Sequence, residues 1–284
     1  MIIWLASYPK SGNTYVRAFL SAYYFSKDGQ FDFNQIANIK QFPGEEFFNG
    51  KKINNISEAS NEWMYIQKKI IENKKIRFLK THSCLASYKN KIFTSSETSL
   101  GAIYIVRDPR NVLTSIKNHF SMDDDEALKM IFDKNRGLIS NKSSHASYSF
   151  ISSWANHYLS WMKNKLFRRH LIKYEDLLEN KYETFRDLIV FTNTLMNITE
   201  GVNKSKLQRA IESTSFNTLK NKEIKENLNR SSIGFNKWRD FHKENKNLFF
   251  NLGPENKWEK MLDPKVKKKI EVNFLDEMKD LKYL

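Results

Sequence analysis

The chain has 284 residues, of which 40% are hydrophobic and 14% aromatic, so it can bury a sizeable core and does not have a disordered composition. Lys and Arg outnumber Asp and Glu by 47 to 32, and the resulting formal charge of +15 favours anionic partners. The single cysteine, Cys84, excludes an internal disulfide and a cysteine-based zinc site. The six histidines lack short metal-ligand spacings, so we expect no metal.

The apolar run at the N-terminus is too short for a signal peptide, and no stretch approaches the length of a membrane span. These two observations predict a soluble, cytoplasmic protein. No recognised nucleic-acid-binding motif is present, so we do not expect a nucleic acid partner. The sequence leaves the oligomeric state open.

A strand and a helix are the first elements predicted in chain order. Residues 2–6, IIWLA, form a continuous apolar run, which is typical of a strand buried on both faces of a sheet. From Thr14 the apolar period becomes helical, with one face formed by Val16, Phe19, Leu20 and Tyr23. The stretch between them, SYPKSGNTY at residues 7–15, is therefore predicted to be a strand-to-helix loop.

Further strands and helices alternate through the first two-thirds of the chain. Strands are predicted at residues 75–80, 100–106 and 170–174, and helices at residues 61–72, 109–120 and 149–165. This alternation predicts an α/β fold in which helices flank a central parallel sheet, in a single domain over residues 1–284.

Several segments have weak periodicity. We expect loops with short helical pieces at residues 30–60 and a mobile polar excursion at residues 121–148 around one helix near residues 126–132. From about residue 180 the chain is predicted to be mainly helical, with breaks at residues 217–232 and around residues 253–254.

The loop SYPKSGNTY has the composition of a phosphate cradle. The N-terminus of the following helix offers free N–H groups and a favourable dipole to an anion. Gly12 permits close approach of the backbone, Lys10 supplies a positive charge, and Ser11 and Thr14 supply hydroxyl donors. The order of residues differs from a Walker A loop, because the lysine precedes the only glycine. A plain strand-to-helix turn with a solvated lysine is the alternative.

A second strand-to-helix junction, YIVRDPRNVLTS, places Arg107 at the end of a strand and Ser115 in the next helix. An arginine can bind a phosphate through two hydrogen bonds. The alternatives are an ion pair between Arg107 and Asp108 and a surface role for Ser115.

These two segments resemble the cytosolic-type sulfotransferase family, whose sulfuryl donor is 3'-phosphoadenosine 5'-phosphosulfate (PAPS). The resemblance implies a P-loop-like nucleotide-binding architecture for the α/β fold. SYPKSGNTY resembles the loop that binds the 5'-phosphosulfate, and IVRDPRNVLTS resembles the motif that binds the 3'-phosphate. The resemblance therefore implies that the donor-binding residues include Lys10, Ser11, Gly12, Asn13, Thr14, Tyr15, Arg107 and Ser115.

Other motifs follow in the order of the family, so that the resemblance covers residues 5 to about 239. KTHS resembles the segment of the catalytic base, IKYEDL a strand beside the adenine, and STSF the adenine-side loop. RSSIGFNKWR departs from the C-terminal loop of the family, because its glycine spacing differs. The resemblance implies site residues in each of these motifs: Lys80 and His82 in KTHS, Tyr174 in IKYEDL, Thr214 and Ser215 in STSF, and Arg230 and Gly234 in RSSIGFNKWR.

The resemblance implies transfer of a sulfuryl group to a hydroxyl or amine by in-line displacement, without a metal. In this mechanism His82 is the base, Lys10 stabilises the leaving oxygen, Lys80 points at the transferring group and Ser115 hydrogen-bonds to Lys10. Without the resemblance, the favoured interpretation of His82 is a surface or capping histidine, and that of Lys80 is a solvated lysine at a strand end.

Two other functions remain open: a small-molecule or nucleoside kinase of related fold, and a non-catalytic binder of an anionic polymer. A small molecule or saccharide is the expected acceptor partner, and residues 30–60 and 121–150 are the expected acceptor-side loops. Five phenylalanines of the first loop either line an apolar pocket or anchor the loop to the core: Phe31, Phe33, Phe42, Phe47 and Phe48.

Overall fold

The computed structural model describes residues 1–48, 50–142, 145–229 and 250–284. Nine strands lie in these ranges: β1 (Ile2–Ser7), β2 (Lys40–Gln41), β3 (Arg77–Thr81), β4 (Ser87–Tyr88), β5 (Lys91–Ile92), β6 (Ser99–Val106), β7 (Gly137–Lys142), β8 (His145–Phe150) and β9 (Arg168–Lys173). Five of them form a parallel sheet in the order β2-β3-β1-β6-β9. The pairs β4-β5 and β7-β8 are antiparallel.

Helices cover both faces of the parallel sheet, as the alternating pattern predicts. In chain order the helices are α1 (Asn13–Phe25), α2 (Ile56–Ile71), α3 (Pro109–Phe120), α4 (Asp124–Phe132), α5 (Trp154–Met162), α6 (Asp176–Glu179), α7 (Lys181–Met196), α8 (Lys204–Ser213) and α9 (Phe216–Asn229), followed by Trp258–Met261, Pro264–Asn273 and Leu275–Asp280. Within the described ranges no helix is both long and apolar enough to cross a membrane.

The central strand β1 is buried along its whole length because it separates two cores. Ile2, Trp4 and Ala6 pack into one core with α2, α3 and α5, whereas Ile3 and Leu5 pack into the other with α1, α7 and α8. Alternate side chains of a strand point to opposite faces, so a strand with helices on both sides must be apolar throughout. This is the physical origin of the IIWLA run.

The predicted strands and the helix at residues 109–120 are confirmed, with small differences in their bounds. The expected helix at residues 61–72 begins earlier, at Ile56, because the Asn55 side chain caps it by accepting from the Glu58 N–H.

Two expectations are wrong. The polar segment predicted as an excursion at residues 121–148 contains, besides the expected helix α4, most of the β7-β8 hairpin. Residues 216–229 form α9, where a break is predicted. α9 is polar along most of its length, but it buries Leu219 in the core. Tertiary packing supplies the stability that this polar composition does not predict.

The strand order β2-β3-β1-β6-β9 makes the end of β1 the point at which the connections change direction. From β1 the chain passes to β3 on one side and later to β6 on the other, so the connections leave the strand ends in opposite directions. Ligands of open α/β sheets bind at such a point, outside the carboxyl ends of the strands. The segments that follow β1, β3 and β6 begin at Tyr8, His82 and Arg107.

Candidate active site

The loop between β1 and α1 has a backbone shape that demands glycine at one position. Gly12, the N-cap of α1, has φ +95°, in the left-handed region where other residues are strained. A Cβ atom at this position would lie 2.4 Å from the Tyr174 ring. Glycine is therefore required at position 12 for two reasons: the left-handed turn of the backbone and the close approach of the Tyr174 ring. Lys10 also has a left-handed backbone, with φ +67°.

Buried donors in and around this loop lack partners among the described residues. They are the Ser11 hydroxyl, the Tyr15 hydroxyl and the Nε of Arg107. A buried polar group without a hydrogen bond costs free energy, so such groups in one place indicate a ligand that would accept from them. An anion with several acceptor oxygens at the N-terminus of α1 fits this donor set.

Lys10 lies beside a second cation. Burial, and then the charge of Arg107, lower the pKa of the Lys10 ammonium to about 8. The Arg107 Nη1 donates to the Lys10 carbonyl at 3.2 Å, and its guanidinium lies 4.3 Å from the centre of the Tyr174 ring. An anion between the two cations would relieve this repulsion between like charges.

Asp108 does not form the ion pair with Arg107 that was one alternative for that arginine. Its carboxylate instead lies 2.6 Å from Arg110, which also contacts Glu271 at 2.6 Å. The Asp108 N–H donates to Glu175 Oε1 at 3.1 Å, and the Tyr283 hydroxyl donates to Glu175 Oε2 at 2.8 Å. The backbone that carries Arg107 is thus attached to the C-terminal segment.

His82 follows β3 and lies against the end of β1. Its Nδ1 is 2.8 Å from the Ser7 carbonyl oxygen and 3.3 Å from the Ser7 hydroxyl. Because a carbonyl only accepts, Nδ1 carries the proton in the neutral ring and Nε2 is left with a lone pair. Burial, followed by the charge of Lys80, holds the pKa of the His82 imidazole well below its usual value. The ring is therefore neutral at physiological pH.

Lys80 has a buried side chain whose Nζ donates to Gln41 Oε1 at 2.7 Å. Burial, and then the charges of Arg17 and Lys10, lower the pKa of the Lys80 ammonium well below its usual value. Lys80 thus belongs to a group of cations around the loop, but its hydrogen bond is directed to β2.

The other residues implied by the family motifs have different surroundings. The Asn13 amide donates to the Leu5 carbonyl at 3.1 Å and so ties α1 to β1. The Thr214 hydroxyl donates to the Ala210 carbonyl at 2.6 Å, and the Ser215 hydroxyl lies 2.7 Å from that of Thr218 at the start of α9. Thr14 and Ser115 are half-buried, on α1 and α3. Arg230 and Gly234 lie outside the described residues.

Most phenylalanines of the first expected acceptor-side loop are core anchors. Phe31, Phe33, Phe42 and Phe48 are buried in the two cores, and Phe47 is partly buried. A cavity of about 300 Å³ opens between this loop and α2, and its lining comprises Glu46, Phe47, Phe48, Lys51, Glu62, Tyr65, Ile66, Lys69 and Ile70.

Sequence reasoning missed His157, which contacts the His82 backbone, and Glu175, which contacts the Asp108 backbone. The spacing of α5 contains a signal for the first, since His157 lies on the same helical face as Trp154 and Trp161 and is therefore buried. The contact of Glu175 has no local signal, because the two residues come from different parts of the chain.

Comparison with known proteins agrees with this architecture. A family model described as the sulfotransferase domain matches residues 2–282, so the chain belongs to the sulfotransferase family. None of the curated proteins compared with the chain matches it.

Solved structures share the fold at low sequence identity. The crystal structure of mouse sulfotransferase SULT7A1 complexed with PAP is 17% identical, with a TM-score of 0.56 over 98% of this chain and 84% of that chain. Retinol dehydratase in a complex with retinol and PAP is also 17% identical, with a TM-score of 0.57 over 98% of this chain and 81% of that chain. The same dehydratase in complex with androsterone and PAP gives a TM-score of 0.52 at 17% identity over 98% and 81% of the two chains.

Proposed function

We propose that this protein transfers a sulfuryl group from PAPS to a hydroxyl or amine of an acceptor. The observation that carries the proposal is the bond between His82 Nδ1 and the Ser7 carbonyl, which leaves the lone pair of a neutral imidazole on Nε2 at the end of β1. The loop with the unpaired donors Ser11 and Tyr15 begins at the same strand end. A base and an anion cradle at one strand end are what sulfuryl transfer requires.

The chemistry of transfer is an in-line displacement at sulfur. A bond forms between the acceptor oxygen or nitrogen and sulfur, while the bond from sulfur to the 5'-phosphate oxygen of the donor breaks. His82 Nε2 takes the proton that the acceptor loses. Lys10 offsets the negative charge that develops on the leaving phosphate oxygen, as cationic groups do in phosphoryl transfer.

The remaining residues are proposed to hold the donor. Ser11, Gly12, Thr14 and Tyr15 would bind the 5'-end, because two of them carry unpaired buried donors and Gly12 begins α1. The residues proposed for the 3'-phosphate are Arg107, Ser115, Arg230 and Gly234, and those proposed for the adenine side are Tyr174, Thr214 and Ser215.

The pairing of Asp108 with Arg110 favours sulfuryl transfer over a kinase reaction. A kinase needs a carboxylate that can hold magnesium beside the phosphates, whereas the Asp108 carboxylate accepts several hydrogen bonds from the Arg110 guanidinium. Asp108 is also buried, with 4% of its surface exposed.

The first test is ligand-dependent thermal stability. We expect 3',5'-adenosine bisphosphate to raise Tm, and ATP with magnesium to leave it unchanged, because only the former has a 3'-phosphate for Arg107. Incubation with labelled PAPS and panels of phenols, aliphatic alcohols, amines and glycans then identifies the acceptor class. Stabilisation by ATP with magnesium alone would contradict the proposal.

A further inference from the structure

A second histidine, which has no part in the reaction as proposed, lies directly behind the base. His157, on α5, is fully buried. Its Nε2 is 3.0 Å from the His82 carbonyl oxygen, and its Nδ1 is 2.8 Å from the Tyr104 hydroxyl. Both ring nitrogens are therefore engaged, one by the backbone of the base and one by a side chain of β6.

The chemistry of these partners defines the protonation of the His157 ring. The His82 carbonyl only accepts, so Nε2 carries the proton, and Nδ1 accepts from the Tyr104 hydroxyl. Burial lowers the pKa of His157 to about 3, so the ring is neutral over the range in which proteins are usually assayed.

These bonds connect the base with β6 through the interior. They run from the Tyr104 hydroxyl through His157 to the carbonyl of His82. The other side of His82 is held by its Nδ1, which donates to the Ser7 carbonyl. The ring of Tyr8, the next residue, contacts His157, so the segment of Ser7 and Tyr8 meets both His82 and its support.

Two attachments restrict His82 more than either does alone. The bond to its carbonyl limits rotation of the backbone, and the bond to its Nδ1 limits rotation of the ring. Together they leave one direction for the Nε2 lone pair. The Tyr8 and His157 rings also form a T-shaped contact, with ring centres 5.6 Å apart at 89°. A rigid support of this kind is what a catalytic group requires, since misplacement by about 1 Å can cost about 100-fold in rate.

We propose that His157 and Tyr104 are positioning residues that hold His82, through its backbone carbonyl, in register with the anion-binding loop. This inference rests on the proposed function, in which His82 is the base.

The kinetic test compares two substitutions of similar size. His157→Leu removes the donor, and we expect kcat to fall by about 10- to 100-fold while KM for PAPS changes less than about twofold. His157→Gln keeps an N–H that can reach the His82 carbonyl, and we expect it to restore most of kcat. His170→Gln is the matched control, because His170 lies on β9 and stacks on Phe191, with ring centres 5.2 Å apart.

A spectroscopic test needs no turnover. Nitrogen-15 NMR of the histidine rings reports which nitrogen of His82 is protonated. We expect Nδ1 in the wild type and in His157→Gln, and a mixture of both tautomers in His157→Leu. An unchanged tautomer together with unchanged kcat in a folded His157→Leu would overturn the inference. If the wild type transfers no sulfuryl group, the proposed function fails, while the tautomer of His82 still decides whether His157 holds it.

Discussion

The Nδ1 of His82 lies 2.8 Å from the carbonyl oxygen of Ser7, although 75 positions separate the two residues in the chain. β1 and β3 are parallel neighbours, with Ala6 opposite Thr81, so the next residue of each strand emerges at the same edge of the sheet. The strand pairing therefore brings His82, the proposed base, beside the loop that we propose to bind the donor.

The first prediction concerns the base. His82→Ala removes the Nε2 lone pair, so we expect kcat for sulfuryl transfer to fall by about 100- to 10,000-fold, the usual contribution of a general base. The affinity for 3',5'-adenosine bisphosphate, measured by calorimetry, is expected to change little, because the product nucleotide needs no base. Full activity in a folded His82→Ala protein would remove His82 from this role.

A second prediction concerns the turn at Gly12. Gly12→Ala places a Cβ into the Tyr174 ring and a non-glycine residue at φ +95°. We expect a loss of about 1–2 kcal/mol in the free energy of unfolding from the backbone alone, measured by urea denaturation, together with weaker nucleotide binding.

The matched control for Gly12→Ala is Gly201→Ala. A Cβ at Gly201 meets no atom within 4 Å, so the same change of residue should alter neither stability nor binding by more than about 0.5 kcal/mol. Equal effects of the two substitutions would show that the loop is less constrained than its geometry implies.

The third prediction is the pH dependence that Lys10 confers. Because the pKa of Lys10 in the unliganded protein is about 8, the residue loses its proton as the pH rises above that value. Binding of 3',5'-adenosine bisphosphate then requires proton uptake, so the affinity should fall by up to about tenfold for each pH unit above 8.

Lys10→Met provides the control, because this variant has no ammonium to titrate. Its affinity should be weak at pH 7 and should fall less steeply than that of the wild type between pH 8 and pH 10.

The effect of Lys10 on stability has the opposite sign. The pKa of Lys10 is lower in the folded protein than in the unfolded chain, so Lys10 contributes a rise in the free energy of unfolding between about pH 8 and pH 10.5. If the nucleotide affinities of the wild type and Lys10→Met fell equally steeply between pH 8 and pH 10, the pH dependence could not be assigned to Lys10.

A fourth prediction concerns the attachment of the Arg107 segment to the C-terminus. Tyr283→Phe removes the donor to Glu175 Oε2, and burial raises the pKa of Glu175. An unsatisfied buried acceptor costs about 1–3 kcal/mol, so we expect a loss of this size in the free energy of unfolding. Nucleotide affinity should also fall, because the Asp108 N–H bonds to the same carboxylate. Val190→Ala, on an exposed face of α7, is the control.

Local sequence patterns by themselves determined several secondary-structure elements of this protein. Continuous apolar runs predicted the parallel strands, because a strand buried on both faces has no polar position. SYPKSGNTY was predicted as a strand-to-helix loop in which Gly12 permits close approach of the backbone, and α3 was predicted from a proline at its first position. The physical cause of each of these elements lies within one short segment, so it can be read from the local sequence.

Only the tertiary structure decided which groups hold that site in place. The contacts of His157 with His82, and of Glu175 with Asp108, join residues 75 and 67 positions apart. It also decided that Asp108 pairs with Arg110, and that the polar segments of α9 and the β7-β8 hairpin are regular structure. Partners in such contacts are selected by packing across the sheet, and no spacing along the chain records which side chains meet there.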